Sequence, residues 1–286
     1  MPQTLSQIRS LLSNCGLRPK RRLGQNFLHD GNVMRIIVET AQVVPGDLIL
    51  EVGAGTGGLS TCLLDGGARL VAVEMDPDFK PILDTVLQSY GDAVVVLIQD
   101  ILSSKQQISL AVSQALSDIA APSGAGEAPP FRLVANLPFN VASPLLANLA
   151  TDWPQMTAAA VTVQREVADR ITATPGGKQY GPLTVVLQAV YNVTQVAVVA
   201  PTCFWPVPRV ESAILRLERR PAPLTDRLTQ LSQFAGDLFG LRRKQLKAIV
   251  RRRFPGRTLP GNIDPTWRPE QLSVEQLIDL ERNLAL

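Results

Sequence analysis

Short apolar runs alternate with amphipathic stretches through the first two thirds of the chain. Six runs have the length and apolar content of strands covered on both faces, and they span 48–52, 70–74, 94–98, 132–135, 158–163 and 213–217. Helical periodicity lies between them, at 57–65, 77–88 and 144–150. This alternation predicts a doubly wound α/β sheet, in which ligands bind beyond the carboxyl ends of the strands.

The remaining segments have different patterns. Residues 183–200 are apolar but mix helical and strand periodicities, so the pattern leaves their structure open. The sequence AAPSGAGEAPP at 120–130 is rich in Pro, Gly and Ala and predicts a surface loop. After the Pro-Ala-Pro at 221–223 the patterns are helical and no long β run follows. We therefore predict two domains, residues 1–218 with a basic N-terminal segment and a small helical domain over 219–286.

Composition narrows the class of protein. The chain has 286 residues, 45% hydrophobic and 19% charged, with a net charge of +3, which is an ordinary globular composition. Its three scattered cysteines suit a reducing compartment and disfavour a disulfide framework or a zinc site. No secretory signal is visible and no apolar run approaches about 18 residues, so we expect a cytoplasmic protein without a metal. The only histidine, His29, excludes most schemes that use an imidazole base.

A glycine-rich segment follows the first predicted strand of the sheet. EVGAGTGG at 51–58 contains Gly53, Gly55 and Gly58 in the spacing G-x-G-x-x-G, and Glu74 ends the next strand. Glycines there let a ligand approach the backbone at a helix N-terminus, and an acid at that distance suits a ribose. The combination indicates an adenosine-containing cofactor without separating NAD from S-adenosylmethionine. A packing turn and a surface carboxylate are the structural alternatives.

Asp100 follows the third predicted strand, in VVVLIQD. Its carboxylate could accept a hydrogen bond from an adenine amino group. It could equally cap a helix over 101–108. The residues alone leave both interpretations open.

The fourth strand ends in Asn136-Leu137-Pro138-Phe139. This matches the pattern Asn/Asp/Ser, any, Pro, aromatic of amino-methylating nucleic-acid methyltransferases. The amine of adenine is a poor nucleophile, and the Asn136 oxygen with a turn carbonyl would accept its hydrogens and stabilise the charge that develops. Phe139 would stack on the base, which is worth about 1–3 kcal/mol. The alternative is a strand-ending turn with Phe139 in the core.

Two further features point to a nucleic acid. Phe204 and Trp205 lie on a proline-rich loop before the last predicted strand, where Phe204 could form the second face of a base-stacking site and Trp205 could plug a domain junction. Two basic clusters, in RPKRR at 18–22 and in LRRKQLKAIVRRRFPGR at 241–257, stand out in a nearly neutral chain. A solvated helix face is the alternative, but a phosphate-backbone footprint explains both clusters better. The residues proposed for it are Arg21, Arg22, Arg242, Arg243, Lys244, Arg251, Arg252 and Arg253.

Together these residues resemble the bacterial small-subunit (16S) rRNA adenine N6,N6-dimethyltransferases, relatives of the erythromycin-resistance rRNA methylases. The resemblance runs from LGQNFL at 23–28 through EVGAGTGG, NLPF and QREVADR at 164–170. It continues through Tyr-Gly at 180–181 and FWPVPRVESA at 204–213 into the basic tail, so it covers nearly the whole chain. The GQNFL and F-x-P-x-P-x-V-x-S segments are specific to this group.

The resemblance implies a Rossmann-like methyltransferase fold with S-adenosylmethionine as cofactor. The residues expected to line the cofactor site are Asn26, Leu28, Gly53, Gly55, Glu74, Asp100 and Asn136. The residues expected to hold the adenine are Asn136, Leu137, Pro138, Phe139 and Phe204. The family usually has Tyr where Phe139 stands, so the hydroxyl is missing here while the stacking ring remains.

The activity implied is dimethylation of two adjacent adenosines near the 3′ end of small-subunit rRNA, in ribosome biogenesis. The expected partner is rRNA in an assembling subunit, bound by a monomer away from membranes. The nearest alternative is a large-subunit rRNA adenine methylase of the antibiotic-resistance type. A ribosome-assembly factor whose methylation is secondary is another. An NAD dehydrogenase leaves NLPF and both basic clusters unexplained.

Overall fold

The computed structural model describes residues 2–104, 107–120 and 129–284. Most of the predicted loop at 120–130 therefore lies outside the described residues.

The strands and helices follow the predicted alternation. The strands are β1 (Phe27–Leu28), β2 (Leu48–Val52), β3 (Arg69–Glu74), β4 (Val94–Ile98), β5 (Leu102–Ser104), β6 (Gln107–Ile108), β7 (Phe131–Asn136), β8 (Met156–Gln164), β9 (Tyr191–Val199), β10 (Phe204–Trp205) and β11 (Ser212–Arg219). The α-helices are α1 (Leu5–Asn14), α2 (Gly31–Ala41), α3 (Gly58–Asp65), α4 (Lys80–Leu87), α5 (Leu110–Ala120), α6 (Ala142–Asp152), α7 (Arg165–Ile171), α8 (Pro182–Val190), α9 (Leu228–Phe239), α10 (Leu246–Arg253) and α11 (Val274–Leu284). Short 3₁₀ segments occupy Arg21–Leu23, Pro77–Phe79, Gln88–Ala93, Pro201–Cys203 and Pro269–Gln271.

The large sheet has the strand order β4-β3-β2-β7-β8-β11-β9. The first five of these strands run parallel, and β11 is antiparallel to both of its neighbours. The chain moves outward from β2 to β4 and then returns to the other side of β2 to form β7. The order thus reverses between β2 and β7, and a ligand crevice is expected at their carboxyl ends.

Helices cover both faces of this sheet, which explains why its strands are apolar on both sides. Along β2, Leu48, Leu50 and Val52 belong to the apolar cluster on one face, whereas Ile49 belongs to the cluster on the other. Each buried aliphatic side chain of this kind contributes roughly 1.5–3 kcal/mol relative to an exposed one. Glu51 shares the face of Ile49 and is 1% exposed, so an acid is buried inside an otherwise apolar strand.

All six predicted strands and all three predicted helical stretches are present, which confirms the α/β expectation. The undecided stretch 183–200 holds two elements, which explains its mixed pattern. It contains all of α8 except the first residue, followed by the whole of β9. A helix over 101–108, the alternative explanation for Asp100, is wrong, because the described residues there form the antiparallel strands β5 and β6. Asp100 instead accepts a hydrogen bond from the backbone N–H of Leu102 at 3.0 Å.

The segment after residue 219 is helical, as predicted. Helix α9 packs on α8 and α11, and all three belong to the same apolar cluster as the sheet. The division into domains at 218/219 stays a prediction. Within the described ranges, no helix combines the length and the hydropathy that crossing a membrane would require.

Candidate active site

A cavity of about 360 Å³ lies at the carboxyl ends of β2, β3 and β7, where the strand order reverses. All of the residues predicted for the cofactor line this cavity, as do all of those predicted for the adenine. Residues that are far apart in sequence therefore meet in one place. None of the residues proposed for the phosphate backbone is among the lining residues.

The glycine loop forms one wall of the cavity and adopts a left-handed backbone. Gly53 has φ +82° and Gly55 has φ +55°, both in the region that side chains with a Cβ rarely adopt. A Cβ at Gly53 would stand 3.1 Å from two ring carbons of Pro138. The loop that follows β2 therefore packs directly against the turn that follows β7.

Glu74 ties the loop to the end of β3. One carboxylate oxygen accepts the N–H of Gly55 at 2.8 Å and the other accepts the N–H of Asp76 at 2.9 Å. The side chain is 7% exposed, and burial raises its pKa, although those backbone N–H groups oppose the effect. Glu74 is thus a fixed acceptor in the cavity wall, where an acid for a ribose was expected.

Asn136 is held at the other side of the cavity by one end of its amide. Its Nδ2 donates to the backbone carbonyl of Asn26 at 3.1 Å. Because the NH₂ group is committed to that carbonyl, the amide oxygen is the end left to face a ligand. The segment before β1 thereby orients the side chain that was predicted to accept from the target amine.

The turn after Asn136 is anchored by its backbone. The N–H of Leu137 donates to the carbonyl of Thr162 at 3.1 Å, and the carbonyl of Pro138 accepts from Val141 at 3.1 Å. Leu137 is buried, and the ring of Phe139 is half-buried in the cavity wall. Phe139 is therefore not a core residue, and the alternative of a core aromatic is wrong for it.

Phe204, in β10, also lines the cavity. Strand β10 pairs with β1 in a small sheet of two strands, where Leu28 is opposite Phe204 and Phe27 is opposite Trp205. Phe204 is 1% exposed, so its ring belongs to the packed wall as well as to the cavity. Trp205 lies 6.3 Å from the Phe27 ring with the Arg9 guanidinium over it, so it packs toward the N-terminal helix.

The electrostatic character of the cavity is acidic. Among the described residues that line it are the acidic side chains of Glu51, Glu74 and Asp100, and there is no Lys, Arg or His. Asp100 is exposed, whereas the other two are buried. Such a wall favours a ligand with positive charge and disfavours one that carries phosphates.

Glu51 was not predicted as a site residue. The Ser60 hydroxyl donates to it at 2.5 Å. Burial raises its pKa to about 8 despite that bond, and the nearby Glu74 adds to the rise. A signal was available, because a glutamate within the apolar strand LILEV is unusual.

This buried acid predicts a pH-dependent stability. The folded chain keeps a proton that the unfolded chain releases near the usual value of 4.5, so stability should fall as pH rises from about 4.5 to about 8. Glu51→Gln should remove that part of the slope and stabilise the ligand-free protein at pH 8, by up to a few kcal/mol at ~1.4 kcal/mol per pKa unit. Urea unfolding of both proteins at several pH values measures this dependence of the free energy of unfolding on pH. Glu39→Gln, at an exposed site, is the control, and parallel curves for Glu51→Gln and wild type would contradict the assignment.

The proposed phosphate-binding residues lie outside the cavity in two places. Arg21 and Arg22 are exposed on the turn that leads into Leu23 and Gly24, two residues of the cavity wall. The others belong to the helical segment: Arg243, Lys244, Arg251, Arg252 and Arg253 are exposed, and Arg242 is half-buried and contacts the carbonyl of Lys178.

Comparison with known proteins places these features in a family. The model of the family described as Ribosomal RNA adenine dimethylase matches residues 16–285. Ribosomal RNA small subunit methyltransferase A of Mycolicibacterium gilvum (strain PYR-GCK) is 36% identical over 289 residues, covering 96% of this chain and 87% of that protein. The protein of the same name from Mycobacterium tuberculosis (strain ATCC 25177 / H37Ra) is 37% identical over 294 residues, covering 97% of this chain and 86% of that protein.

Solved structures share the fold. A dimethyladenosine transferase from Plasmodium falciparum superposes with a TM-score of 0.71 at 20% identity, covering 89% of this chain and 95% of that one. The 23S rRNA methyltransferase ErmE superposes with a TM-score of 0.67 at 24% identity, covering 91% of this chain and 100% of that one. At these identities the likeness establishes the methyltransferase fold alone.

Proposed function

We propose, since this chain belongs to the ribosomal RNA adenine dimethylase family, that it dimethylates two adjacent adenosines near the 3′ end of small-subunit rRNA with S-adenosylmethionine. Membership makes the chain an rRNA adenine methyltransferase. The observation that carries the proposal is the oriented amide of Asn136 beside an acidic, glycine-walled cavity. The small-subunit target rests on the names of relatives at 36% and 37% identity.

The charge of the cavity supports the choice of cofactor. S-adenosylmethionine supplies a methyl group on a positively charged sulfur atom, which suits a wall that holds the acids Glu74 and Asp100 and no cationic side chain among its described residues. A dinucleotide would bring a pyrophosphate against the same carboxylates. The residues proposed to hold the cofactor are Asn26, Leu28, Gly53, Gly55, Glu74, Asp100 and Asn136.

The reaction needs activation of an amine rather than removal of a proton by a strong base. In the first transfer, the Asn136 amide oxygen and the Leu137 carbonyl would accept hydrogen bonds from the two N–H groups of the adenine amine and draw its nitrogen toward tetrahedral geometry. Transfer would leave the cofactor sulfur neutral, and the methylated amine would give up one of these hydrogens as a proton to water. These acceptors are fixed before the base arrives, so they stabilise the positive charge that develops without reorganising. Phe139, with Phe204 as the second ring, would hold the base in line with the methyl group. His29 is not a lining residue and has no part in this scheme.

Binding of the RNA backbone would fall to the two basic surfaces. Arg21 and Arg22 lie beside the cavity wall, where phosphates next to an extruded adenosine would pass. The second surface, on α10 and the turn before it, would contact rRNA further from the target. We propose that the chain binds as a monomer to an assembling subunit in the cytoplasm.

Neutralising Arg251, Arg252 and Arg253 to glutamine should weaken RNA binding and flatten its salt dependence. Each lost phosphate contact lowers the slope of log K against log salt by roughly 0.7–0.9, so the triple variant should lose about 2 units of slope. Binding of an rRNA fragment measured between 50 and 300 mM salt, about the range where such slopes are resolved, tests this. A variant neutralised at Arg35, Lys80 and Arg170, which form exposed ion pairs elsewhere, carries the same charge change. An equal slope in both variants would mean that net charge alone is responsible.

The proposed function is tested with immature small ribosomal subunits that lack adenine dimethylation, incubated with labelled S-adenosylmethionine. Mass spectrometry of the nucleosides identifies the product, and primer extension locates it. Dimethyladenosine at two adjacent positions near the 3′ end supports the proposal. Transfer only to large-subunit RNA would favour the resistance-type activity instead. Cofactor binding without transfer to either RNA would favour an assembly factor, for which Asn136→Ala should leave subunit maturation unimpaired.

A further inference from the structure

The segment before β1 is attached to the end of β3 by one buried aspartate. Asp76 is 1% exposed, and one of its oxygens accepts from the Lys20 ammonium at 2.7 Å. The other accepts from the Gln25 amide at 2.8 Å. Neither Asp76 nor Lys20 lines the cavity. This carboxylate therefore contacts no ligand and acts only on the chain.

The two partners of Asp76 close the segment on itself. The Gln25 oxygen accepts the backbone N–H of Lys20 at 2.7 Å, so residues 20 and 25 are tied together as well as to Asp76. Gly24, inside this closed loop, has φ +66°, and a Cβ on it would stand 3.8 Å from the Asn140 side chain and 3.9 Å from the backbone N of Phe139. The loop therefore lies between the end of β3 and the turn that follows β7.

The next residue along the chain carries the effect to the proposed catalytic amide. The carbonyl of Asn26 accepts from Asn136 Nδ2, and the Asn26 side chain donates to the carbonyl of Gly24 at 3.0 Å. If the loop moved, the carbonyl of Asn26 would move with it. The Asn136 amide would then lose the group that decides which of its ends faces the adenine.

We propose that Asp76 is a positioning residue for methyl transfer, since its carboxylate holds the 20–26 loop and thereby fixes the Asn26 carbonyl that orients the Asn136 amide. The proposal rests on the function proposed above for Asn136. The backbone N–H of Asp76 also donates to Glu74, so the same residue joins the cofactor side of the cavity to the adenine side. This gives a role to Gln25, which no pattern in the sequence explained.

The charges of Asp76 and Lys20 agree with this geometry. Burial would raise the pKa of Asp76, but the hydrogen bonds from Lys20 and Gln25 outweigh it and the pKa is lowered. Hydrogen bonds to Asp76 and Asp78 raise the pKa of Lys20. Both groups are therefore charged at neutral pH. The carboxylate accepts from three donors, Lys20, Gln25 and the backbone N–H of Asp78. A neutral amide at position 76 would have to place its NH₂ against at least one of them, so Asp76→Asn disrupts the clamp without changing the side-chain volume.

The test compares Asp76→Asn with Asp84→Asn, which removes an exposed lysine–aspartate pair of the same kind. Turnover at saturating cofactor and RNA should fall about 10–100-fold in Asp76→Asn, the size of effect that small misplacements of reacting groups produce. The dissociation constant of S-adenosylhomocysteine should change by less than about tenfold, as expected for the loss of one or two hydrogen bonds. Asp84→Asn should match wild type in both. Unchanged turnover in Asp76→Asn would overturn the proposal.

A double-mutant cycle separates positioning from mere support of the fold. In the Asn136→Ala background, Asp76→Asn should lower the residual rate by less than about threefold, because the group it positions is already absent. If Asp76→Asn lowers the rate as much in the Asn136→Ala background as in the wild type, the proposal is overturned. Lys20→Met, which leaves the Gln25 contact intact, should show a smaller effect with the same dependence on Asn136, and it serves if Asp76→Asn does not fold. Wild-type transfer to the same RNA is measured first, so failure of the proposed function would be seen separately.

Discussion

Replacing Asn136 by alanine is expected to lower the rate of methyl transfer by about 10²–10³-fold, the range found when one preorganised hydrogen-bonding group is removed from an active site. The amide oxygen is the group that would accept from the adenine amine, and its orientation depends on the Nδ2 contact with Asn26. Single-turnover transfer of labelled methyl groups to immature small subunits measures the rate of the chemical step.

Binding of the cofactor should suffer much less from the same change. Loss of one hydrogen bond corresponds to about 1 kcal/mol, or roughly fivefold in a dissociation constant. Titration calorimetry with S-adenosylhomocysteine measures that constant. Asn192→Ala, at an exposed position of β9, is the matched control and should behave as wild type. Equal losses of binding and transfer in Asn136→Ala would show that Asn136 serves the cofactor rather than the adenine.

Replacing Gly53 by alanine should impair both halves of the site together. The added Cβ would stand 3.1 Å from the ring of Pro138, so the NLPF turn must shift by a few tenths of an ångström. A shift of that kind in the reacting groups is expected to lower turnover by about 10–100-fold. The positive φ of +82° adds strain, so cofactor affinity and thermal stability should also fall.

Gly46 supplies the control that separates the clash from the backbone strain. It has φ +90°, and a Cβ there would meet nothing within 4 Å. Gly46→Ala should therefore cost stability, on the order of 1 kcal/mol, while turnover per folded molecule stays at the wild-type level. If both variants lose turnover equally, backbone strain rather than contact with Pro138 is the cause.

The features of the site that could be predicted from the sequence are those with distinctive local chemistry. The glycine loop, Glu74 and the NLPF turn were each recognisable from residue type and spacing, and the structure brings all of them to one cavity. The strands were predictable because a strand covered on both faces must be apolar throughout. Resemblance to a family supplied Asn26 and Leu28, which the residues themselves did not explain.

Other features could not be predicted because they depend on contacts between distant segments. Asp76 follows the expected ribose acid by two residues and looks like an ordinary turn aspartate until Lys20 and Gln25 are placed beside it. The division of 183–200 into α8 and β9 was hidden because both are apolar and short. For Asp100, capping a helix over 101–108 was one of two open interpretations, but two paired strands follow it instead.

By itself, the sequence determined six strands of the large sheet and the helical stretches between them, the family and the chemical groups available to it, because these depend on local periodicity and on residue types. Only the tertiary structure decided which end of the Asn136 amide faces the cavity, that three acidic residues and no cationic one line its described wall, and how the N-terminal loop is held. Hydrogen-bond direction and local charge depend on groups that are more than fifty residues apart in the chain. Such groups become neighbours only when the parallel sheet brings the ends of its strands together.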